Sequence, residues 1–148
     1  MEARTDLTET TSMTLKQAEL AVEAAEAKAK EIGTAVSIAA GNTSGYIKTF
    51  RRIDRAGVAT IDIAIKKAKT SVLFKMETQL IGEHSGDDLY GIESSYSHRI
   101  TFAGGIPLRS KSIGVFGAAG VSGGVATEDY AVDQARKSAV DDARKARG

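Results

Sequence analysis

The chain has 148 residues, of which 42% are hydrophobic and 26% are charged, so its length and composition predict one globular domain. Twenty basic and nineteen acidic residues nearly balance, which leaves no general electrostatic attraction for nucleic acid or for an anionic membrane surface. The absence of cysteine excludes disulfides, thiolate zinc sites and a cysteine nucleophile.

The first thirteen residues are polar and carry three acidic side chains, Glu2, Asp6 and Glu9. They lack the apolar run of a secretory signal, and no window of the chain approaches the roughly 20 apolar residues that a transmembrane helix needs. We therefore expect a disordered N-terminal segment at residues 1–13, a single domain at residues 14–148 and a cytoplasmic location.

The first helix is predicted directly after this segment. Thr14 and Gln17 fit a capping box, and Gly33 supplies a helix stop. Between them, small and aliphatic residues recur at steps of three and four and predict one narrow buried stripe. These residues are Leu15, Ala18, Val22, Ala25, Ala29 and Ile32.

Two glutamates on the same helix, Glu23 and Glu26, have a spacing at which carboxylates can hold a metal ion. Such pairs are frequent on charged helices, so we interpret these as solvated. The two histidines, His84 and His98, lack the spacing of an imidazole zinc site. No metal site is therefore predicted.

A hairpin and a second helix follow. Residues 35–40 and 46–50 predict two strands, and residues 41–45 have the composition of a turn. Thr60 is predicted to open a helix that continues to about Lys75, because apolar residues recur there with helical spacing. These apolar residues are Ile61, Ala64, Ile65, Ala68 and Val72.

The rest of the chain predicts a loop, a central hairpin and a last helix. Residues 82–97 show no hydrophobic period and few apolar residues, which is typical of a surface loop. Residues 99–124 contain two apolar runs joined by a polar turn, and Thr127 fits the cap of a final helix. This order of elements predicts an α+β domain with a mostly antiparallel sheet and helices on its faces.

The start of the central hairpin allows two interpretations. Around Gly104, Gly105 and Pro107 the backbone must bend or lie close to another group, since glycine reaches positive φ freely and proline donates no ladder hydrogen bond. The functional interpretation is the floor of a ligand pocket. The structural interpretation is a hairpin whose glycines line a contact with a helix.

Nucleophilic and nucleotide sites are not predicted. Ser122 lies in a Gly-Val-Ser-Gly-Gly stretch that lacks the strand-turn-helix context of a hydrolase nucleophile, and the glycines match no nucleotide-binding fingerprint. His98 shares a strand face with Ile100 and Phe102 by alternation. His98 can ligate haem iron, act as an acid or base, or simply be a hydrogen-bonded histidine at the rim of a pocket. Arg99 can bind a carboxylate or form ion pairs with acidic residues of the loop.

Several of these segments resemble the GlcG/HbpS-like family, also called the haem-degrading domain family. The similar blocks are Arg99 with Ile100, residues 102–108 with their Gly-Gly-Ile-Pro core, and residues 117–124. The resemblance implies a profilin-like antiparallel sheet of about five strands with helices packed on its faces. Where the family usually has an aspartate, this chain has Asn42, whose amide can still hold an Asx-type turn.

The second helix also resembles a family pattern, D-I-A-x-x-K-A, in which Lys67 is the matching lysine. Together with Lys66 and Lys69 it forms a cluster that we expect to be solvated, with Lys67 as the exception to be tested.

The resemblance further implies a small-molecule pocket, with haem or a related tetrapyrrole as the expected cofactor. Relatives assemble as dimers or larger rings, so we expect a homo-oligomer with the pocket near a subunit interface. The candidate catalytic residues are His98, Arg99 and Lys67, and the candidate cofactor-binding residues are His98, Phe102, Gly104, Gly105, Pro107 and Ser122.

Three functions remain open at this point. The first is haem binding, for which His98 is the available imidazole. The second is a cofactor-independent enzyme of the lyase or isomerase type on a small oxygenated acid or aldehyde, with Arg99 as anchor and His98 or Lys67 for proton transfer. The third is a non-catalytic oligomeric accessory protein. None of them involves nucleic acid or a membrane.

Overall fold

The centre of the fold is a four-stranded antiparallel sheet, seen in a computed structural model that describes residues 12–84, 100–101 and 103–124. The structure does not describe the predicted final helix near Thr127 or the candidate residues His98, Arg99 and Phe102. Of the predicted loop, it describes only residues 82–84. Most of the predicted N-terminal segment lies outside them as well.

The described elements confirm the predicted α+β class. The strands lie in the order β2-β1-β4-β3, each antiparallel to its neighbours. Four strands are described where about five were expected. The elements are α1 (Leu15–Ile32), β1 (Ser37–Gly41), β2 (Ile47–Arg52), α2 (Ala59–Phe74), α3 (Thr78–His84), β3 (Gly105–Ser110) and β4 (Gly114–Ser122).

Helix α1 is bounded as the sequence predicts. The Thr14 hydroxyl accepts a hydrogen bond from the Gln17 amide at 3.1 Å, and the Gln17 side chain accepts one from the Thr14 amide at 2.9 Å. Gly33 ends the helix in the left-handed conformation, with φ of 74°. The capping box therefore satisfies amide groups that a helix start leaves without intrahelical partners.

One face of the sheet packs on α1 and forms the larger apolar core. Small alanines of the helix lie against aliphatic residues of three strands and against Phe116 of β4. Met13 belongs to the same core and is only 1% exposed, although it precedes the helix. The domain boundary after residue 13 stays a prediction, but this side chain is packed with the domain.

The boundaries of the two shorter helical segments differ from the prediction. Helix α2 begins at Ala59 rather than at Thr60, whose hydroxyl instead donates to the Gly57 carbonyl at 2.5 Å. Helix α3 continues through His84, into the part that was predicted as loop. Position 82 of this helix must be glycine, because a Cβ atom there would lie 1.9 Å from the Thr101 carbonyl oxygen.

The opposite face of the sheet is covered by α2, which lies unusually close to the strands. Ala39, Gly120 and Gly105 are register partners in β1, β4 and β3 and form a row of small residues across the sheet. A Cβ atom on Gly120 would lie 2.2 Å from the Ala64 carbonyl oxygen and 2.7 Å from the Ala68 amide nitrogen. The helix backbone therefore occupies the space that a side chain would need.

Within the described residues, no helix combines the length and apolar character needed to cross a bilayer. The cytoplasmic location stays a prediction.

We expect Gly120→Ala to lower the free energy of unfolding by about 3 kcal/mol or more, because the new methyl group must push helix backbone away from the sheet. Gly57→Ala is the matched control, since a Cβ there would meet only the Thr60 methyl group at 3.9 Å. That control should stay within about 1 kcal/mol of wild type. Urea unfolding of the three proteins tests this, and equal stability of both variants would contradict the close packing of α2.

Candidate functional site

The candidate site is centred on Lys67, which projects from the middle of α2 and is fully buried. Its Nζ atom donates a hydrogen bond to the Val121 carbonyl of β4 at 2.8 Å. Its neighbours behave differently, since Lys66 pairs with Asp62 at 2.5 Å and Lys69 is exposed. The three lysines therefore do not form a single solvated face, and Lys67 is the exception that the family resemblance indicated. A buried amine is costly unless it is hydrogen bonded, which accounts for its contact with the strand.

Gly104 lies directly against this lysine. It has a φ of 124°, and a Cβ atom on it would lie 2.6 Å from the Lys67 Nζ atom and 2.6 Å from the Val121 carbonyl oxygen. Its own carbonyl accepts a hydrogen bond from the Val121 amide at 2.8 Å. Glycine is required here both by the backbone conformation and by the space that the lysine occupies.

Gly105 makes a corresponding contact with the two helices. A Cβ atom there would lie 2.6 Å from the Lys67 carbonyl oxygen and 2.6 Å from the Thr78 methyl group. The Gly105 amide donates to the Thr78 hydroxyl at 2.9 Å. These contacts support the structural interpretation, a hairpin with a glycine-lined helix contact, while a ligand-binding role for the glycine pair stays a prediction.

Of the other predicted residues, Ser122 lies near this centre. Ser122 is the last residue of β4, directly after Val121, and is nearly buried beside its register partner Ser37. The Ile100 amide donates to the Thr70 hydroxyl at 3.1 Å, one helical turn beyond Lys67. The structure therefore brings together Lys67, both glycines and the end of β4, and His98, Arg99 and Phe102 fall outside the residues it describes.

Pro107 lies apart from the lysine, on the wall of an open groove of about 270 Å³. The groove runs between β3 and the connection from α2 to α3. Its lining residues are Lys75, Met76, Glu77, Leu80, Pro107 and Arg109. Sequence reasoning identified only the proline, because the remaining residues come from a helix end and a strand that no periodic pattern links.

The two glutamates that could have formed a metal site are used differently. Glu26 accepts a hydrogen bond from Arg51 of β2 at 2.6 Å and lies 3.5 Å from Lys30, whereas Glu23 is exposed. The hydrogen bond from the Arg51 guanidinium lowers the pKa of the Glu26 carboxyl below its ordinary value of 4.5. Over the described part of the chain, no three acidic or imidazole side chains cluster in a way that could hold a metal ion.

The turn between β1 and β2 is held by Asn42, as the prediction of an Asx-type turn requires. Its side-chain oxygen accepts hydrogen bonds from the Ser44 and Tyr46 amides, both at 3.0 Å. Replacing the aspartate that is usual in the similar family therefore keeps the acceptor that this turn needs.

Comparison with known proteins gives one family. Residues 13–137 match the model of the family described as "Haem degrading protein HbpS-like". The chain is also 36% identical over 123 residues to an uncharacterized 15.0 kDa protein in the dhaT-dhaS intergenic region of Citrobacter freundii, a match that covers 80% of this chain and 84% of that one.

Solved structures share the fold over most of their length. Protein ORFY of Klebsiella pneumoniae is 32% identical with a TM-score of 0.83, covering 88% of this chain and 92% of that chain. The PduOC:heme complex is 26% identical with a TM-score of 0.82, covering 87% and 95%. A double mutant of Streptomyces reticuli HbpS is 27% identical with a TM-score of 0.80, covering 86% of each chain.

The ion pair between Glu26 and Arg51 predicts a pH-dependent contribution to stability. Because folding lowers the Glu26 pKa, its ionised carboxylate stabilises the folded state above about pH 4.5, and this contribution is lost as the pH falls through the folded-state value. Glu26→Gln should therefore lower the free energy of unfolding at pH 7 by less than about 1 kcal/mol, since both side chains are partly exposed.

The measurement is urea unfolding of wild type and variant at pH 7 and pH 3. The difference between them should be smaller at pH 3 than at pH 7, because the carboxylate becomes protonated as the pH falls. Glu23→Gln on the same helix is the control and should change stability at neither pH. An equal loss for Glu26→Gln at both pH values would mean that the ion pair is not its cause.

Proposed function

Because the chain belongs to the HbpS-like family of haem-degrading proteins, we propose that it binds haem or a related tetrapyrrole. The observation that supports this most directly is that PduOC, which has the same fold, was crystallised as a haem complex. Bound haem supplies an iron centre and a large apolar ring that carries two carboxylates, and the residues of this chain must accommodate each of these parts.

Among the described residues, the groove beside Pro107 leaves room for the edge of such a ligand, whereas the surroundings of the glycine pair do not. Gly104 and Gly105 are buried against Lys67 and Thr78, so their faces toward α2 are already filled by protein. The groove at Pro107 is open, and its lining combines apolar side chains with two positive charges and one acid, Glu77. This combination suits the edge of an apolar ring that bears carboxylates.

The roles proposed for the individual residues follow from this division. We assign His98 as the ligand of the iron, Phe102 and Pro107 as contacts of the ring, and Arg99 as a polar partner at its edge. Lys67 acts from inside the protein, because its buried amine holds the Val121 carbonyl at the end of β4.

We also propose that the protein functions as a homo-oligomer with the ligand pocket near a subunit interface. Several large apolar side chains remain on the surface of the chain, and one of them, Leu80, lies on the groove itself. A second copy that covers such side chains would remove apolar area from water. The exposed residues are Leu15, Tyr46, Val58, Leu73 and Leu80.

The haem proposal predicts a saturable Soret shift when the wild-type protein is titrated with ferric haem. His98→Ala should move the Soret maximum and weaken binding strongly, because the iron loses its imidazole ligand. His84→Ala is the control, since His84 is exposed at the end of α3 and should leave the spectrum unchanged.

The outcomes separate two claims. If the wild type shows no saturable binding, haem binding is rejected, and the enzymatic and accessory hypotheses are left. If wild type and His98→Ala bind with the same spectrum, only the assignment of the iron ligand is wrong.

The assembly proposal predicts a solution mass that is a multiple of the 15.6 kDa chain at micromolar concentration. Light scattering after size-exclusion chromatography measures it. A strict monomer would contradict the proposal whatever the haem titration gives.

A further inference from the structure

The groove beside Pro107 carries two positive charges at its rim. Lys75 follows the last residue of α2 and is held in the left-handed conformation, with φ of 53°. Arg109 comes from β3, directly after a shift in its register with β4, and lines the same groove as Pro107. Both side chains are exposed, so they can reach a ligand in the groove without rearrangement of the core.

The Arg109 guanidinium is held in place by the backbone of α2. Its Nη2 atom donates a hydrogen bond to the Lys75 carbonyl oxygen. A guanidinium has five N–H donors in a fixed planar fork, so this bond leaves donors that can bind a carboxylate. The helix end thus fixes the position of the arginine at the edge of the groove.

The charge of the groove favours an anion of low charge. The lining contains two positively charged side chains, Lys75 and Arg109, and one acidic side chain, Glu77, so it carries a net charge of +1. In the part of the chain that the structure describes, the ion pairs are formed elsewhere, at Lys28, Lys30, Arg51 and Lys66. A single carboxylate therefore suits this groove better than a polyphosphate.

The remaining wall of the groove is apolar. Met76, Leu80 and Pro107 supply thioether, aliphatic and ring surfaces, and Leu80 is 42% exposed. The volume of about 270 Å³ is below the roughly 300–1,000 Å³ of pockets that enclose a drug-sized ligand. The groove can therefore hold a small acid completely, or only the carboxylate-bearing edge of a larger molecule.

We propose that this groove is a carboxylate-binding subsite, in which Arg109 forms the bidentate partner of the carboxylate and Lys75 adds a second positive charge. The apolar wall receives the part of the ligand next to the carboxylate. In its specific form the inference rests on the proposed function: the ligand is haem, and the carboxylate is one of its propionates.

The test compares ferric haem with its dimethyl ester, in which both carboxylates are blocked. Arg109→Gln should weaken haem binding about tenfold and leave the affinity for the ester unchanged, because only the free carboxylate gains a charge-assisted hydrogen bond. Lys75→Asn should weaken haem binding in the same direction, since asparagine tolerates the left-handed conformation but carries no charge.

Arg52→Gln is the matched control for the arginine. Arg52 is also an exposed residue of a strand, and it also donates to a backbone carbonyl, that of Ala56 at 2.8 Å. Its removal should change neither affinity. If Arg109→Gln fails to fold, Lys75→Asn alone decides the comparison. If the affinity for haem is unchanged, or falls equally for haem and the ester, the subsite is wrong while haem binding stands.

A second probe separates this inference from the proposed function. Butyrate, a carboxylate with a short apolar chain, is titrated into the wild-type protein while backbone amide shifts are followed by NMR. If haem does not bind at all, saturable shifts at Met76 and Leu80 that are lost in Arg109→Gln still support a site for a small acid. If neither haem nor butyrate binds, the groove is not a carboxylate subsite.

Discussion

The close approach of α2 to the sheet is the constraint on which the rest of the structure depends. It is possible because Gly120 and Gly105 present no side chains to the helix, and because Lys67 can then reach the Val121 carbonyl across the strands. The buried amine and the glycines are therefore one packing unit. A larger residue at any of these positions would move the helix, and with it every group that the helix positions.

The same constraint connects the buried centre with the open groove. Gly105, Pro107 and Arg109 follow one another on the α2 side of β3, so the strand passes from a tightly filled contact to an accessible surface within five residues. Helix α2 likewise changes from buried at Lys67 in its middle to exposed at Lys75, which follows its last residue. The close packing of α2 on β3 thus determines where the groove begins and places Lys75 and Arg109 at its edge.

Local patterns predicted the parts of the fold that local interactions determine. The capping box at Thr14, the left-handed Gly33 and the turn at Asn42 each depend on residues within five positions, and all three occur as expected. The sequence also marked Gly104 and Gly105 as a place of close approach. It could not identify what approaches, because Lys67 lies 37 or more positions earlier. The groove was missed for the same reason, since Lys75 and Arg109 meet only through the tertiary fold.

The turn at Asn42 shows what kind of change this chain can absorb during evolution. Two backbone amides, of Ser44 and Tyr46, require only an oxygen acceptor, and either an amide or a carboxylate side chain provides one. The position is thus neutral to the gain or loss of a charge as far as the hairpin is concerned. An exchange between aspartate and asparagine here would change the surface charge and still keep the acceptor on which the turn, and with it the pairing of β1 with β2, depends.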